Sequence, residues 1–295
     1  MTTLLIIVEQ ALLHMPLMLG AYLSISLMKV PDLSIESAYV FGAILGAQTV
    51  VFTSGFPLII SLVLAVGVSL IGGCTVGVIS SLLSTKAGLP HLLSSIVTIG
   101  LFHGINQAVL NGSYLSLSTY ANPLTISALM PENPELLTLA LLAGILVISG
   151  ALVLHTQLGY SLAVFGDNPG FFVNYAISQR YVFCTGIIIS NALAGLSGYL
   201  FAQSNGFVET GMGISKPLLC ISTLIMGKTV LHLYHRMSIF VPLVGCVAYF
   251  SLQQFLLKVG FNLKYFTAVQ AVVVLILLVV RFHGNKRSSF DQLGV

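Results

Sequence analysis

Charge is what this chain has least of. Its 295 residues carry 11 basic and 8 acidic side chains, 6% of the total, against about 25% in an ordinary soluble domain. With 57% hydrophobic residues and a mean hydropathy of +1.02, a water-soluble fold would leave broad apolar patches facing solvent. Hydrocarbon removes that penalty, so the composition describes a protein that crosses a membrane many times. No basic patch is large enough to hold a nucleic acid.

Other absences narrow the function. The four cysteines, Cys74, Cys184, Cys220 and Cys246, stand singly with no CxxC pair, so neither a zinc site nor a disulfide framework is indicated. They read as small packing residues, and no metal or other cofactor is expected. No GxxxxGK[ST] phosphate loop occurs, so ATP chemistry would have to come from another subunit. No cluster of acids, Ser–His pair or metal motif lies within the apolar runs, which argues against a membrane enzyme. The first residues lack a basic start and a small-residue cleavage site, so they read as a first span rather than a signal peptide.

What is present is a series of apolar runs. Nine candidate spans fall at about 4–28, 36–53, 58–84, 90–110, 135–156, 180–204, 217–228, 239–257 and 265–281. A full helical crossing takes about 20 residues, which makes the seventh too short to cross comfortably. Continuous apolar runs exclude the alternating strands of a barrel. The expected fold is all-α: one transmembrane domain over 1–295, a polytopic bundle of about 8–9 spans.

Basic residues set the orientation. A cytoplasmic C-terminus places Lys29, Lys86, Arg180, Lys228, Arg236, Arg281, Lys286 and Arg287 inside, and only Lys216, Lys258 and Lys264 outside. The N-terminus is then external, together with the 111–134 segment, which has no Lys or Arg.

Small residues at four-residue spacing, Gly42/Gly46, Gly73/Gly77 and Ala194/Gly198, read as ordinary close helix packing. His103, Asn106 and Gln107 put polar groups inside the fourth span, where helix–helix hydrogen bonding is the first reading. Two polar interruptions stand apart: Pro31–Ser37 between the first two spans and Gly206–Pro217 between the sixth and seventh. Two readings stay open. They are plain loops, or they are corresponding breaks in inverted repeats that flank a transport pathway. On the second reading Ser34, Glu36, Ser37, Glu209 and Ser215 are the candidate pathway residues.

The longest polar insertion on the cytoplasmic side is about 157–180. Asn168-Pro169 is a good helix start, and Asp167 adds negative charge near its positive end. A helix from Pro169 to about Gln179 would group Phe171, Phe172 and Tyr175 on one side. That side suits either the membrane interface or an apolar groove on a partner.

Within this region Gly159, Ala163, Gly166, Asn168 and Pro169 are followed by Ala194-Gly195-Leu196 with Gly198, and then by Gly211-Met212-Gly213. In these residues the chain resembles permeases of the branched-chain amino acid and ribose type, which belong to ATP-binding-cassette (ABC) importers. Leu19-Gly20-Ala21 and Thr85–Pro90 also fit the pattern, and the likeness runs from about residue 8 to 282. It departs from that pattern at Gln157, Tyr160 and Ser161, at Gly170-Phe171-Phe172, and at Leu231–Arg236 with His232 and His235.

The resemblance implies a bacterial inner-membrane permease. Two copies would form the pathway, two ATPase subunits would bind beneath them, and an extracytoplasmic solute-binding protein would deliver substrate. The solute would be small and polar, an amino acid or a related compound; some members of the nearest branch are linked to aromatic amino acids. The loop residues Gly166, Asp167, Asn168, Pro169, Phe171, Phe172 and Tyr175 would couple to the ATPase. An ion-coupled secondary transporter is the rival reading. It is weakened because Asp32, Glu36 and Glu209 stand at span ends and not deep within spans.

Overall fold

A computed structural model describes residues 2–126, 134–174, 178–231 and 238–260, and also residues 268, 269, 271, 272 and 275. Tyr175, His232, His235 and most of the ninth candidate span lie outside the described residues. The helices are α1 (Thr2–Ala21), continued by a π-helical stretch Tyr22–Leu27, α2 (Ile35–Phe52), α3 (Leu58–Thr85), α4 (His91–Leu110) and α5 (Pro134–Leu154). They are followed by α6 (Gln157–Asp167), α7 (Phe171–Asn174), α8 (Gln179–Asn205), α9 (Lys216–Leu231) and α10 (Phe240–Lys258). Seven helical segments among the described residues are long and apolar enough to cross a membrane, and they match seven of the nine expected spans to within a few residues. The protein is an all-α membrane bundle.

Local chemistry sets the helix ends. Pro57 and Pro90 stand just ahead of α3 and α4 with φ near −50°, and Pro134 opens α5, positions where a missing N–H costs nothing. Asn111 and Gly206 close α4 and α8 in the left-handed region, with φ of 51° and 74°, which Gly and Asn adopt most readily.

The side-chain distribution is inverted relative to a soluble protein. On α5, Leu141, Ile145, Ile148 and Leu152 form one outward stripe, and α3 shows Ile60, Val63, Ile71 and Val78 in the same way. Ser69, Ser80, Ser94, Thr98, Ser190 and Ser197 are fully or almost fully buried. Apolar groups face out and hydroxyls face in, as hydrocarbon demands. Most of these hydroxyls are absorbed by backbone: Ser69 donates to the Val66 carbonyl, Thr98 to Ser94 and Ser197 to Leu13.

The bundle is built around α8, which packs on α1, α2 and α3. Small residues make this possible. A Cβ added to Gly42 would drive into the Gly195 backbone, one on Gly73 into the Asn191 carbonyl, and one on Gly198 into the Tyr39 carbonyl. Three helices thus meet backbone to backbone, where dispersion contact rather than a hydrophobic force holds membrane helices together. The stacking order makes α2 parallel to α8, whereas α1 and α3 run against it. Beyond the far ends of α4 and α8, strands β1 (Tyr114–Ser116) and β2 (Phe207–Glu209) pair antiparallel. The connections after α1 and α3 and the α6–α7 segment lie at the opposite end.

Candidate functional site

The Pro31–Ser37 interruption does not lie at the bundle surface. Asp32 is 1% exposed. Its Oδ1 accepts from the Ser34 backbone N–H at 2.9 Å, the Ser34 hydroxyl at 2.6 Å and the Ser95 hydroxyl at 3.3 Å. Its Oδ2 accepts from Asn191 Nδ2 at 2.7 Å, and His91 Nε2 stands 3.4 Å from Oδ1. Burial alone would raise the Asp32 pKa; the hydrogen bond and charge of His91 and the two Ser34 donors outweigh it and hold the carboxyl below its ordinary value. Asn191 is 12 residues into α8, about 18 Å from its start at 1.5 Å per residue. The start of α2 therefore hangs inside the bundle, pinned to α4 and α8 by one carboxylate.

The second interruption enters from the other side. After β2 the chain turns through 210–215, sets Gly213 against the backbone of Glu36, and reaches Lys216, whose Nζ lies 3.2 Å from His14 Nε2. Ser215 carries it there with φ of 66°, a left-handed conformation uncommon for a residue with a side chain. His14 is level with Ser197, whose hydroxyl donates to the adjoining Leu13 carbonyl. Ser197 is 8 residues short of the end of α8, about 12 Å inside it. Thus α9, of 16 residues, starts within the bundle and is the short helix seen in the sequence. Irregular backbone at such depth is tolerated only where protein or a water-filled cavity satisfies it.

Of the five candidate pathway residues, Ser34 belongs to the Asp32 network, and its hydroxyl, whose one proton goes to Asp32, also stands 3.2 Å from Asn191 Oδ1. Ser37 is buried, and Glu36 is half-buried beside Gly213. Ser215 is half-buried at the entrance to α9, and Glu209 is exposed on β2. The structure therefore brings Glu36 to the 210–215 turn and leaves Glu209 apart. On α4, Asn106 is buried, but His103 and Gln107 face outward and bond each other at 3.3 Å; among the described residues their side chains make no hydrogen bond to another helix. Sequence reasoning passed over His14, His91, Ser95 and Asn191. It also placed Lys216 in an outer loop. A lone Asn in an apolar span was the one available signal, and it named no partner.

The 157–180 segment, expected on the cytoplasmic side, opens with a helix that the sequence reading did not expect. Its main helix is α6, which precedes Asn168-Pro169; Asn168 ends it with φ of −150°, and its carbonyl accepts from the Phe171 N–H at 3.1 Å where α7 begins. Only the four-residue α7 follows within the described part. Gly166 lies so close to Leu27 that a Cβ would meet its carbonyl oxygen. Asp167 Oδ1 pairs with Lys29 Nζ at 2.6 Å, both exposed. Phe171 is 39% exposed, but Phe172 is only 2% exposed, its ring 6.4 Å from Phe165. Phe172 is a core residue of this chain, so it cannot project into a partner. The aromatic pair reads as one anchor and one exposed ring.

These features were compared with known proteins. A family model described as a branched-chain amino acid transport system / permease component matches residues 4–279. The chain belongs to this family. It is 32% identical over 223 residues to a tyrosine transport system permease protein of Clostridioides difficile (strain R20291), covering 76% of this chain and 72% of that one. It is 28% identical over 267 residues to the uncharacterized protein RP368 of Rickettsia prowazekii (strain Madrid E), covering 89% and 91%. No solved structure matches. Within a permease family, two interrupted connections that enter the bundle, one of them starting the short α9, and a loop seated on the end of α1 acquire a shared context: transport of a small solute through a multi-pass membrane protein.

Proposed function

We propose that the chain is the membrane subunit of an ATP-driven importer for an amino acid or a closely related compound. It works without enzymatic activity of its own and without a bound cofactor. ATP is hydrolysed on a separate ATPase, which docks on the α6–α7 segment, and an extracytoplasmic binding protein supplies the solute. A second permease copy completes the pathway in the lipid of a bacterial inner membrane, with the N-terminus outside and the C-terminus in the cytoplasm. The observation that carries the reading is the family match over residues 4–279; the tyrosine permease relative supports an amino acid as cargo.

The geometry gives the coupling a route. A push on α6 reaches the end of α1 through the Gly166–Leu27 contact and the Lys29–Asp167 pair. The connection from there to α2 carries Asp32, so displacement at the loop loads the network on α4 and α8. Coupling of this kind needs an element with two arrangements, and the interrupted connections are where backbone can change at least cost.

The test is uptake of radiolabelled amino acids, tyrosine among them, by proteoliposomes holding the permease with its ATPase and binding protein. Uptake should require internal ATP and stop with a non-hydrolysable analogue. Uptake that ignores ATP and collapses with a protonophore would identify an ion-coupled secondary transporter instead.

A further inference from the structure

Lys216 is a cation without an anion. It opens α9 inside the bundle, and no acidic side chain among the described residues forms an ion pair with it. Among the described residues, His14 supplies the one polar contact of its ammonium. His14 Nδ1 lies 3.0 Å from the Gln10 carbonyl, which can only accept, so Nδ1 carries the proton and Nε2 is left to accept from the Lys216 ammonium. A neutral imidazole lends no negative charge. The same ammonium stands over two ring faces, 4.6 Å from the Tyr39 centroid and 4.5 Å from that of Phe201, which compensates it only in part. The hydroxyl of Tyr39, a wholly buried residue, has no hydrogen-bond partner among the described residues.

The sign of the surroundings makes this arrangement informative. A helix start carries the positive end of the peptide dipoles and favours acids, not lysines. Here a lysine occupies that end, in a low-dielectric setting, with two of its three N–H donors unspent. Lys216 also keeps part of its surface open and follows the exposed Ile214. An anion bound there would gain the ammonium, the helix start and the unspent donors together.

We infer that Lys216 is the carboxylate-binding group of the transport pathway, with the half-buried Phe201 as the apolar wall beside it. The inference rests on the amino-acid reading above and deepens it: the permease recognises its cargo through the carboxylate end, and a hydrocarbon or aromatic side chain packs against the Phe201 ring.

The test uses the complete transporter in proteoliposomes. Uptake of tyrosine, tyramine (which lacks the carboxylate), 4-hydroxyphenylpropionate (which lacks the amine) and ribose is measured for the natural chain, Lys216→Met and Lys216→Arg. Assembly with the ATPase is checked by co-elution. Lys216→Met should assemble, since it replaces a half-buried cation by an apolar chain of similar length. It should lose about tenfold or more in uptake of the carboxylate-bearing solutes, and Lys216→Arg should restore much of it. Equal uptake in Lys216→Met overturns the inference and leaves the amino-acid reading intact. Lys216-dependent uptake of 4-hydroxyphenylpropionate but not tyrosine keeps the inference and overturns the amino-acid reading. Failure of Lys216→Met to assemble, or uptake by the natural chain of tyramine or ribose alone, overturns the inference.

Discussion

Asn191 donates from Nδ2 to Asp32 Oδ2 at 2.7 Å, joining the middle of α8 to the connection between α1 and α2 across 159 positions of sequence. The bond closes a network in which one carboxylate accepts from Ser34, Ser95 and Asn191. Asp32→Ala would orphan the Ser34 backbone N–H, while the Ser34 hydroxyl, Ser95 and Asn191 keep second acceptors in Asn191 Oδ1, the His91 carbonyl and the Ile187 carbonyl. A buried orphan costs about 1–3 kcal/mol, and we expect a loss of that size, read as a drop in melting temperature of the detergent-purified protein. Asp32→Asn, which keeps an acceptor, should fall between the two.

The same carboxylate predicts a pH response. Its folded pKa lies below the ordinary value, so its stabilising share is complete above the unfolded-state value of about 3.9. That share fades as pH falls through the lower folded value. Melting temperature should therefore hold down to about pH 4 and drop below it. In Asp32→Asn this component of the acid slope should be missing. An identical acid slope in both proteins would show that Asp32 is not the group responsible.

The glycines give a paired prediction. A Cβ on Gly198 has nowhere to go but into the Tyr39 carbonyl, whereas one on Gly144 meets nothing within 4 Å. Gly198→Ala should cost about 1–3 kcal/mol through overpacking and helix displacement. Gly144→Ala should be neutral or slightly stabilising, since Ala is the better helix former by about 1 kcal/mol. Thermal melts of the two variants side by side test this, and equal melting temperatures would contradict the close packing around α8.

The small-residue pairs were legible in the sequence because spacing alone puts two glycines on one helix face, and the structure turns those faces to α8. The spans were equally legible, since apolar length is a local property. The seventh run looked short because α9 starts at depth, a fact set by Ser215 and Gly213 that no window average contains. The Asp32 network was not legible. Asp32 sits among polar neighbours, where any loop would place an acid, and its partners Ser95 and Asn191 are lone polar residues in distant apolar runs. Lys216 was misplaced for the same reason: a lysine before a short apolar run normally marks a membrane edge, and only the packing against His14 shows otherwise. The helix Gln157–Asp167 was not legible either, since its Gly166 is fitted against Leu27 of a distant segment.

Orientation yields a simple measurement. The sequence pattern assigns eight basic residues to the cytoplasm and three to the outside, of which the structure draws Lys216 into the bundle, and such a bias governs insertion. A phosphatase that is active only outside, fused after Val295, should stay inactive, and a fluorescent protein at the same point should fold and shine. The opposite pair of results would reverse the topology and move the α6–α7 segment away from any cytoplasmic ATPase.

The two phenylalanines of the loop separate docking from folding. Phe172, 2% exposed and packed against Phe165, belongs to the core, whereas Phe171 is 39% exposed. Phe172→Asp would bury a carboxylate with no counter-charge, a cost of several kcal/mol, so little folded protein should be recovered. Phe171→Asp should leave the melting temperature within about 1 °C, because an exposed ring contributes little to stability. If the ring enters an apolar groove of the ATPase, the same change should weaken co-purification about tenfold or more, the scale of a buried aromatic anchor at an interface. Normal assembly and uptake in Phe171→Asp would mean that the ATPase grips the segment elsewhere. The exposed Lys29–Asp167 pair would then be the next point to probe, by exchanging the two charges.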